Sequence, residues 1–304
     1  MAKATEAFKT TDFELPTDVV VEMSKKIAAQ SVIATLSPAT PQIFGNTDYL
    51  IFTKDPEAEY VSEGGAKASS KAGFTPITGT RHKVQVTVRV NEEVRWADED
   101  NQLQILDLIT GSMGEAIGRA IDYNMLHGVD TLTGEAIPSL ATTKLDATAT
   151  KFEIDGDVPT IAEIDSFPDS VITEGYVPNG IAFAPAITNA LRKMRSTDGA
   201  QTRLYPDINM SLDPSNFEGL PAVTSANVAG VLATAAPGIL GYVGDWSLIR
   251  WGFIRNIGIE EIIYGDPDGL GDLKRYNQVA YRAEAVYSFA NFDPKGFAYM
   301  AKKA

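Results

Sequence analysis

Residues 55–80 read DPEAEYVSEGGAKASSKAGFTPITGT, a run dominated by Gly, Ala, Ser, Thr and single charges. So little apolar surface cannot be held in place by burial against the chain's own core. The flanks behave differently. Thr47–Thr53 (TDYLIFT) has the aromatic and β-branched content of a strand, and Lys83–Val90 (KVQVTVRV) alternates with Val84, Val86, Val88 and Val90 on one face. Two strands joined by a long, weakly apolar run form either a projecting two-stranded flap or a disordered surface loop. Connections of that length inside a domain are usually functional or disordered.

The next constraint is Asp98–Gly128. Leu103, Leu106, Ile109, Met113, Ile117, Ile121 and Met125 recur at spacings of three or four, which predicts one apolar face on a single long helix. Asp98, Glu99 and Asp100 stand where carboxylates cap free amides, and Gly128 stands where a left-handed residue ends a helix. Such a strut spans roughly 40 Å. Gly111, Gly114 and Gly118 lie inside it, each costing about 1 kcal/mol against alanine. Close approach of another backbone along that stripe is the expected compensation.

Residues 1–16 read as a polar arm. A short amphipathic helix starts at Pro16-Thr17-Asp18, with Val20, Met23, Ile27 and Ala28 on one face, and ends between Gln30 and Leu36. Thr131–Gly156 reads as a turn-rich connection. Beyond it, a helix over Thr160–Val171, a buried strand Gly180–Phe183, a helix Ala186–Arg195 and an apolar strand Leu220–Val223 suggest an α/β layer, with Asp213–Gly219 as a loop. The last part is strand-rich: Ser247–Phe253, Ile257–Tyr264 and Val279–Phe292 alternate, and Gly265–Asp272 (GDPDGLGD) reads as a hairpin tip.

The chemistry a catalyst would need is absent. The chain has no cysteine and only two histidines, His82 and His127, so thiolate and histidine-rich metal centres are excluded and a Ser-His-Asp triad is unlikely. The glycines of the strut lack the lysine of a phosphate loop. Asp266, Asp268 and Asp272 resemble part of a calcium loop without its terminal glutamate, and read as a solvated turn. Glu92-Glu93 and Glu260-Glu261 lie on strand-like segments, where neighbours point to opposite faces, so they are no acid/base dyad. No cofactor is indicated, and the chain is not read as an enzyme. Nothing resembles a signal peptide or a membrane span. The net charge of −14 argues against tight nucleic-acid binding, and suits a surface that lies near packed DNA without adhering to it.

The order of parts is similar to that of the major capsid protein of tailed double-stranded DNA bacteriophages, the Johnson fold of the phage capsid family. The residues that carry this are the flap Tyr60-Val61-Ser62-Glu63-Gly64-Gly65-Ala66-Lys67 followed by VQVTVRVNEEV, and a C-terminal set. That set comprises Gly244-Asp245-Trp246, Arg255–Glu260, Tyr281-Arg282-Ala283-Glu284 and Asp293-Pro294-Lys295-Gly296-Phe297. The resemblance implies an α+β fold with an N-terminal arm (1–45) and a segment 46–90 that carries the extended E-loop (about 55–80). A peripheral domain (91–154) with a spine helix (about 98–128) and an axial domain (155–250) follow. The chain would then return to the peripheral domain (251–304) with a three-fold loop (about 265–272). Family chains often start with a scaffolding segment. Only residues 1–54 precede the flap here, so scaffold is expected from another chain or not at all.

The resemblance further implies a structural, self-assembling shell protein of the virion head, built in the host bacterial cytoplasm as hexamers and pentamers around double-stranded DNA held non-specifically. Its partners would be copies of itself, with portal, scaffolding or decoration proteins besides, and no membrane. Glu63, Lys67 and Lys71 would make flap contacts between subunits. Asp266, Asp268, Asp272 and Arg275 would make contacts at the three-fold loop. Some family members crosslink a flap lysine to a neighbour's asparagine with help from a glutamate. Lys67 or Lys71, Asn277 and Glu284 are the matching set, against the plainer reading that Asn277 ends a turn and Glu284 pairs with Arg282 or Arg275. The alternative class is an encapsulin-type nanocompartment shell that packages a cargo enzyme.

Overall fold

The valine alternation of residues 84–90 becomes part of a 19-residue strand that leaves the body and runs out into the flap. The structure, a computed structural model, describes residues 31–38, 40, 47–54, 56–67, 69–70, 73–101, 105–196, 201–212 and 214–303. In chain order its elements are α1 (Val32–Leu36), β1 (Thr47–Lys54), β2 (Gly73–Asn91), α2 (Glu92–Asn101), α3 (Ile105–Leu126), α4 (Leu145–Thr148), β3 (Thr150–Ile154), α5 (Ile161–Ser166) and α6 (Asp169–Ile172). There follow β4 (Gly180–Phe183), α7 (Pro185–Lys193), β5 (Asn216–Phe217), β6 (Leu220–Thr224), β7 (Ile239–Gly244), β8 (Ile249–Ile262), β9 (Gln278–Asn291) and β10 (Phe297–Lys302). Short 3-10 turns connect several of them.

Two sheets carry the fold. The first is antiparallel, in the order β1-β2-β9-β8. Within it β2 has two partners: Gly73–Gly79 pairs with β1, and Thr80–Asn91 pairs with β9. At about 3.3 Å per residue β2 spans roughly 60 Å, so one strand is both the arm of the flap and a central strand of the body. The second sheet is mixed, in the order β3-β10-β7-β4-β6-β5. Period-two alternation sorts its side chains into separate cores. Ile181, Phe183, Val243 and Met300 pack with Phe167, Ile187 and Leu191. Ala182, Tyr242, Trp246 and Phe297 face the other way and join Ile121 and Met125 of α3 and Val84, Tyr287 and Phe289 of the first sheet. One core therefore runs through both sheets with α3 in it.

Several expectations need correcting. The strut is described in two parts, on either side of residues 102–104. Residues 92–101 are already helical as α2, residues 102–104, with Leu103, lie outside the described residues, and α3 starts at Ile105, whose amide donates to Asp98 Oδ1 at 2.9 Å. The apolar stripe and its end are as read: Met113, Ile121 and Met125 are buried, and Gly128 has φ +62°. Among the described residues Gly111, Gly114 and Gly118 meet no neighbour within 4 Å of where a Cβ would stand, so no close backbone is seen along that stripe there. Glu92 and Glu93 form the first turn of α2 and not a strand, because carboxylates complement a helix N-terminus. The helix expected over 160–171 breaks into α5 and α6 at Phe167-Pro168, where proline has no N–H to continue it.

Within the supposed turn-rich connection lies β3, and within the loop 213–219 lies the short β5. Residues 249–262 make one bulged strand and not two. The second sheet also includes β3 and β10, which lie outside residues 155–250. The helix start at Pro16 falls outside the described residues.

Two knots hold this arrangement. Asp122 on α3 is fully buried, and it accepts from Ser31 Oγ (2.6 Å), the amides of Val32 (3.0 Å) and Ile33 (3.4 Å), and Asn227 Nδ2 (2.8 Å). Burial pushes its carboxyl up, while these four donors pull it down. The second knot is Gly244-Asp245-Trp246. The Trp246 indole donates to the Gly180 carbonyl at 3.0 Å and meets Phe297 edge to face at 5.5 Å. A Cβ on Gly244 would stand 2.5 Å from the Gly296 carbonyl oxygen and 2.4 Å from the Phe297 ring.

Asp122→Ala leaves four donors facing apolar surroundings and is expected to cost about 3 kcal/mol in denaturant unfolding. Amide exchange should rise first at residues 31–37. Gly244→Ala cannot be relieved by rotating a side chain, because one obstacle is backbone. It is expected to cost about 1–3 kcal/mol by the same measurement.

Candidate assembly surfaces

The described tip of the flap, residues 56–67 and 69–70, is exposed except for the half-buried Val61. It turns at Glu63-Gly64, where Gly64 has φ +80° and the Gly65 amide donates to Ser62 O at 2.9 Å. The two legs meet once more where the Glu57 amide donates to Ser70 Oγ at 2.8 Å. Tyr60 is 96 % exposed, a degree that an aromatic ring rarely keeps when it has a surface to lie on. Glu63 and Lys67 are exposed on this tip, and Lys71 lies outside the described residues.

The loop 265–272 is organised from within. Arg89 stands on the polar side of the valine strand, yet its side chain is only 5 % exposed. Its guanidinium donates to both oxygens of Asp268, to Asp266 Oδ1 (3.4 Å), to Gly271 O (3.0 Å) and to Gln278 Oε1 (3.1 Å). This planar fork matches a carboxylate as a lysine could not. Arg282 adds a bond to Pro267 O at 2.6 Å and one to Thr87 Oγ1 at 3.1 Å. Burial alone would raise the Asp266 carboxyl. The amides of Gly271, Gly269 and Leu270, with Arg89, outweigh it and hold the group below its ordinary value.

Asp272 Oδ1 accepts from the Arg275 amide at 3.0 Å, and the Arg275 guanidinium lies 5.7 Å from the centre of the Tyr276 ring. Tyr264 and Tyr276 are both more than half exposed beside this loop. The sequence reading missed Arg89. Its signal was an arginine in a valine-rich strand, with three aspartates in a hairpin tip that needed a counter-charge.

The structure separates Asn277 from Glu284 within one chain. Asn277 ends a 3-10 turn in the left-handed region (φ +56°), and its Nδ2 donates to Glu93 Oε1 at 2.8 Å. Glu284 lies opposite Gln85, while Gln278 lies opposite Asn91 at the far end of the ladder, so roughly 20 Å of strand intervenes. Glu284 pairs with Lys83 Nζ at 2.8 Å, and not with Arg282 or Arg275.

A family model described as the phage capsid family matches residues 12–302. Among solved structures, one from Mycobacterium phage Ogopogo is 36% identical, covers 98% of this chain and 100% of its own, and superimposes with a TM-score of 0.82. One from Gordonia phage Cozz is 31% identical over 96% of this chain and 92% of its own, also with a TM-score of 0.82. A more distant structure, described as the capsid of an empty GTA particle, shares the fold at 13% identity, covering 90% of each chain with a TM-score of 0.62. No curated protein matches the chain.

Replacing Arg89 by Met keeps the bulk and removes the charge. About 2 kcal/mol of local stability should be lost at 265–272, read as faster amide exchange there with the rest of the chain unchanged. Because Asp266 is held below its unfolded value, its contribution is present above the ordinary carboxylate range and is lost as pH falls through the depressed value. Protection of the loop should therefore be level from pH 7 to about pH 4 and decline below it.

Proposed function

This chain belongs to the phage capsid family, and from that premise we propose that its copies close into hexamers and pentamers to form an icosahedral head shell around double-stranded DNA. The protein is a capsid shell protein of the virion head, structural in class, and it assembles with copies of itself. The encapsulin-type reading, a shell around a cargo enzyme, is not favoured by these relatives.

The observation that carries the finer reading is the flap. Its described tip is exposed apart from the half-buried Val61, and Tyr60 stands on it 96 % exposed. Lying across a neighbouring subunit buries that surface, with Glu63, Lys67 and Lys71 as its charged contacts. Head-to-tail contacts of this kind are heterologous, and they close when the rotation between neighbours completes a ring. The loop with Asp266, Asp268, Asp272 and Arg275 is the second contact, where three capsomers meet.

In this reading residues 1–45 are the N-terminal arm, 46–90 carry the E-loop, 91–154 form the peripheral domain with α3 as its spine, 155–250 form the axial domain and 251–304 return to the periphery. A net charge of −14 keeps packaged DNA from adhering to the wall. Among the described residues no helix is long and apolar enough to cross a membrane. Assembly takes place in the host bacterial cytoplasm, with portal, scaffolding or decoration proteins as further partners. An isopeptide from Lys67 or Lys71 to a neighbour's Asn277, with Glu284 assisting, would appear as a ladder of covalent multimers on a denaturing gel of shells. Migration only at 32.7 kDa excludes it.

Exchanging residues 56–70 for a short Gly-Ser linker tests the assembly role. The variant should keep its far-ultraviolet circular dichroism and thermal midpoint within a few degrees, and lose closed particles by negative-stain microscopy. Shells that form as readily without the tip would overturn this reading.

A further inference from the structure

Away from both assembly surfaces, a buried histidine at the end of α3 has one ring nitrogen without a partner. His127 follows Leu126 directly and is 1 % exposed, walled by the rings of Tyr123 at 5.6 Å and Tyr242 at 6.3 Å. Its Nε2 stands 2.8 Å from the carbonyl oxygen of Asn227. A carbonyl can only accept, so Nε2 carries the hydrogen, and in the neutral ring the lone pair sits on Nδ1. That Nδ1 has no hydrogen-bond partner, and it lies 3.5 Å from Asp146 Oδ2. Two acceptors facing each other in a buried place form an arrangement that something positive must reconcile. The place opens on a cavity of about 500 Å³, lined by His127 and Asp146 together with Glu135, Lys144, Thr234 and Pro237.

We propose that His127 Nδ1 and Asp146 Oδ2 bind a borderline-soft divalent cation of the zinc type at this cavity. Three observations converge on it. The first is the locked tautomer: a ligating histidine usually donates its other N–H to a carbonyl or carboxylate, as Nε2 does here to Asn227. The second is the separation. Two ligand bonds of about 2.1 Å whose ends are 3.5 Å apart subtend an angle of about 113°, close to tetrahedral.

The third is the second carboxylate oxygen, Asp146 Oδ1, which is buried and has no hydrogen-bond partner, with Lys144 Nζ in ion-pair range at 3.0 Å. The carboxylate is thus an acceptor still in need of a partner, although the ammonium weakens its attraction for a cation. An imidazole nitrogen selects zinc-like ions over magnesium or calcium. Among the described residues no cluster of three or more His, Cys, Asp and Glu surrounds a point, so the protein supplies two ligands and water from the cavity completes the shell. Glu135 lines the same cavity. The bound ion would clip the end of α3 to α4, and through the Asn227 carbonyl to the turn that also binds Asp122.

Isothermal titration of the full-length protein with zinc chloride, and separately with magnesium chloride, tests this. One saturable event per chain is expected for zinc and none for magnesium. His127→Gln and Asp146→Asn should each weaken zinc binding at least tenfold. His82→Gln should leave it unchanged, since His82 Nε2 is already bonded to Thr80 Oγ1 at 2.8 Å. Because replacing a buried histidine can unfold the chain, zinc X-ray absorption of the His82→Gln protein gives a second reading. His127 is then the only imidazole left, and one imidazole in the first shell is expected. An absence of saturable zinc binding, binding untouched by both substitutions in folded protein, or a shell of oxygen atoms alone would each overturn the proposal.

Discussion

A carboxylate on the long helix sets the geometry of the molecule. Asp122 accepts from the start of α1 and from Asn227, on the turn that follows β6, while α3 itself packs against the antiparallel sheet. Three segments distant in sequence are thereby fixed on one side chain. A carboxyl group serves here because three of its partners are N–H groups that can only donate, and an amide would turn a donor toward them. Burying such a group is unfavourable unless every lone pair is used, so the contact is also a check on assembly of the core. A chain that places α3 wrongly leaves this charge buried and unpaired.

With α3 placed, the two sheets share one core, and the surface elements differ in how they are held. The loop 265–272 is ordered by its own chain, because Arg89 and Arg282 hold its carboxylate and carbonyl groups from beneath. A surface arranged before contact loses little further freedom on binding. The flap is held at its base by the ladder that β1 and Gly73–Gly79 share, and its described tip adds the bonds from Gly65 to Ser62 and from Glu57 to Ser70. Beyond that ladder its residues are polar, small and exposed. In the proposed reading, docking on a neighbour would contribute contact area and order the tip at the same time, which suits a strap that follows neighbours in rings of unequal size.

Much of the scaffold was legible in the residues. The alternation of Val84 to Val90, the stripe from Met113 to Met125, Gly128 at the stop, the strand Gly180–Phe183 and the apolar run 220–223 are all local patterns, and local patterns survive folding. What escaped had no local signature. In sequence β3 (TKFEI) looks like part of a loop, and it becomes a strand because β10 lies beside it. Arg89 looked like an ordinary solvent-facing residue of an amphipathic strand. It is buried because a loop some 180 residues later folds over it. The proline that splits α5 from α6 was visible, and its effect should have been read.

The sequence by itself determined which segments are apolar on one face, where helices stop, and that residues 55–80 carry little apolar surface, though not that 73–80 of them would join the long strand β2. These follow from side-chain chemistry and from periods of two and 3.6 residues, which act over a few positions. Only the tertiary structure decided which strands are neighbours, that one strand serves both flap and body, and which buried charges meet. Those outcomes depend on contacts between residues far apart in the chain, where burial and the pairing of Asp122 and Arg89 select one arrangement out of many that local pattern allows.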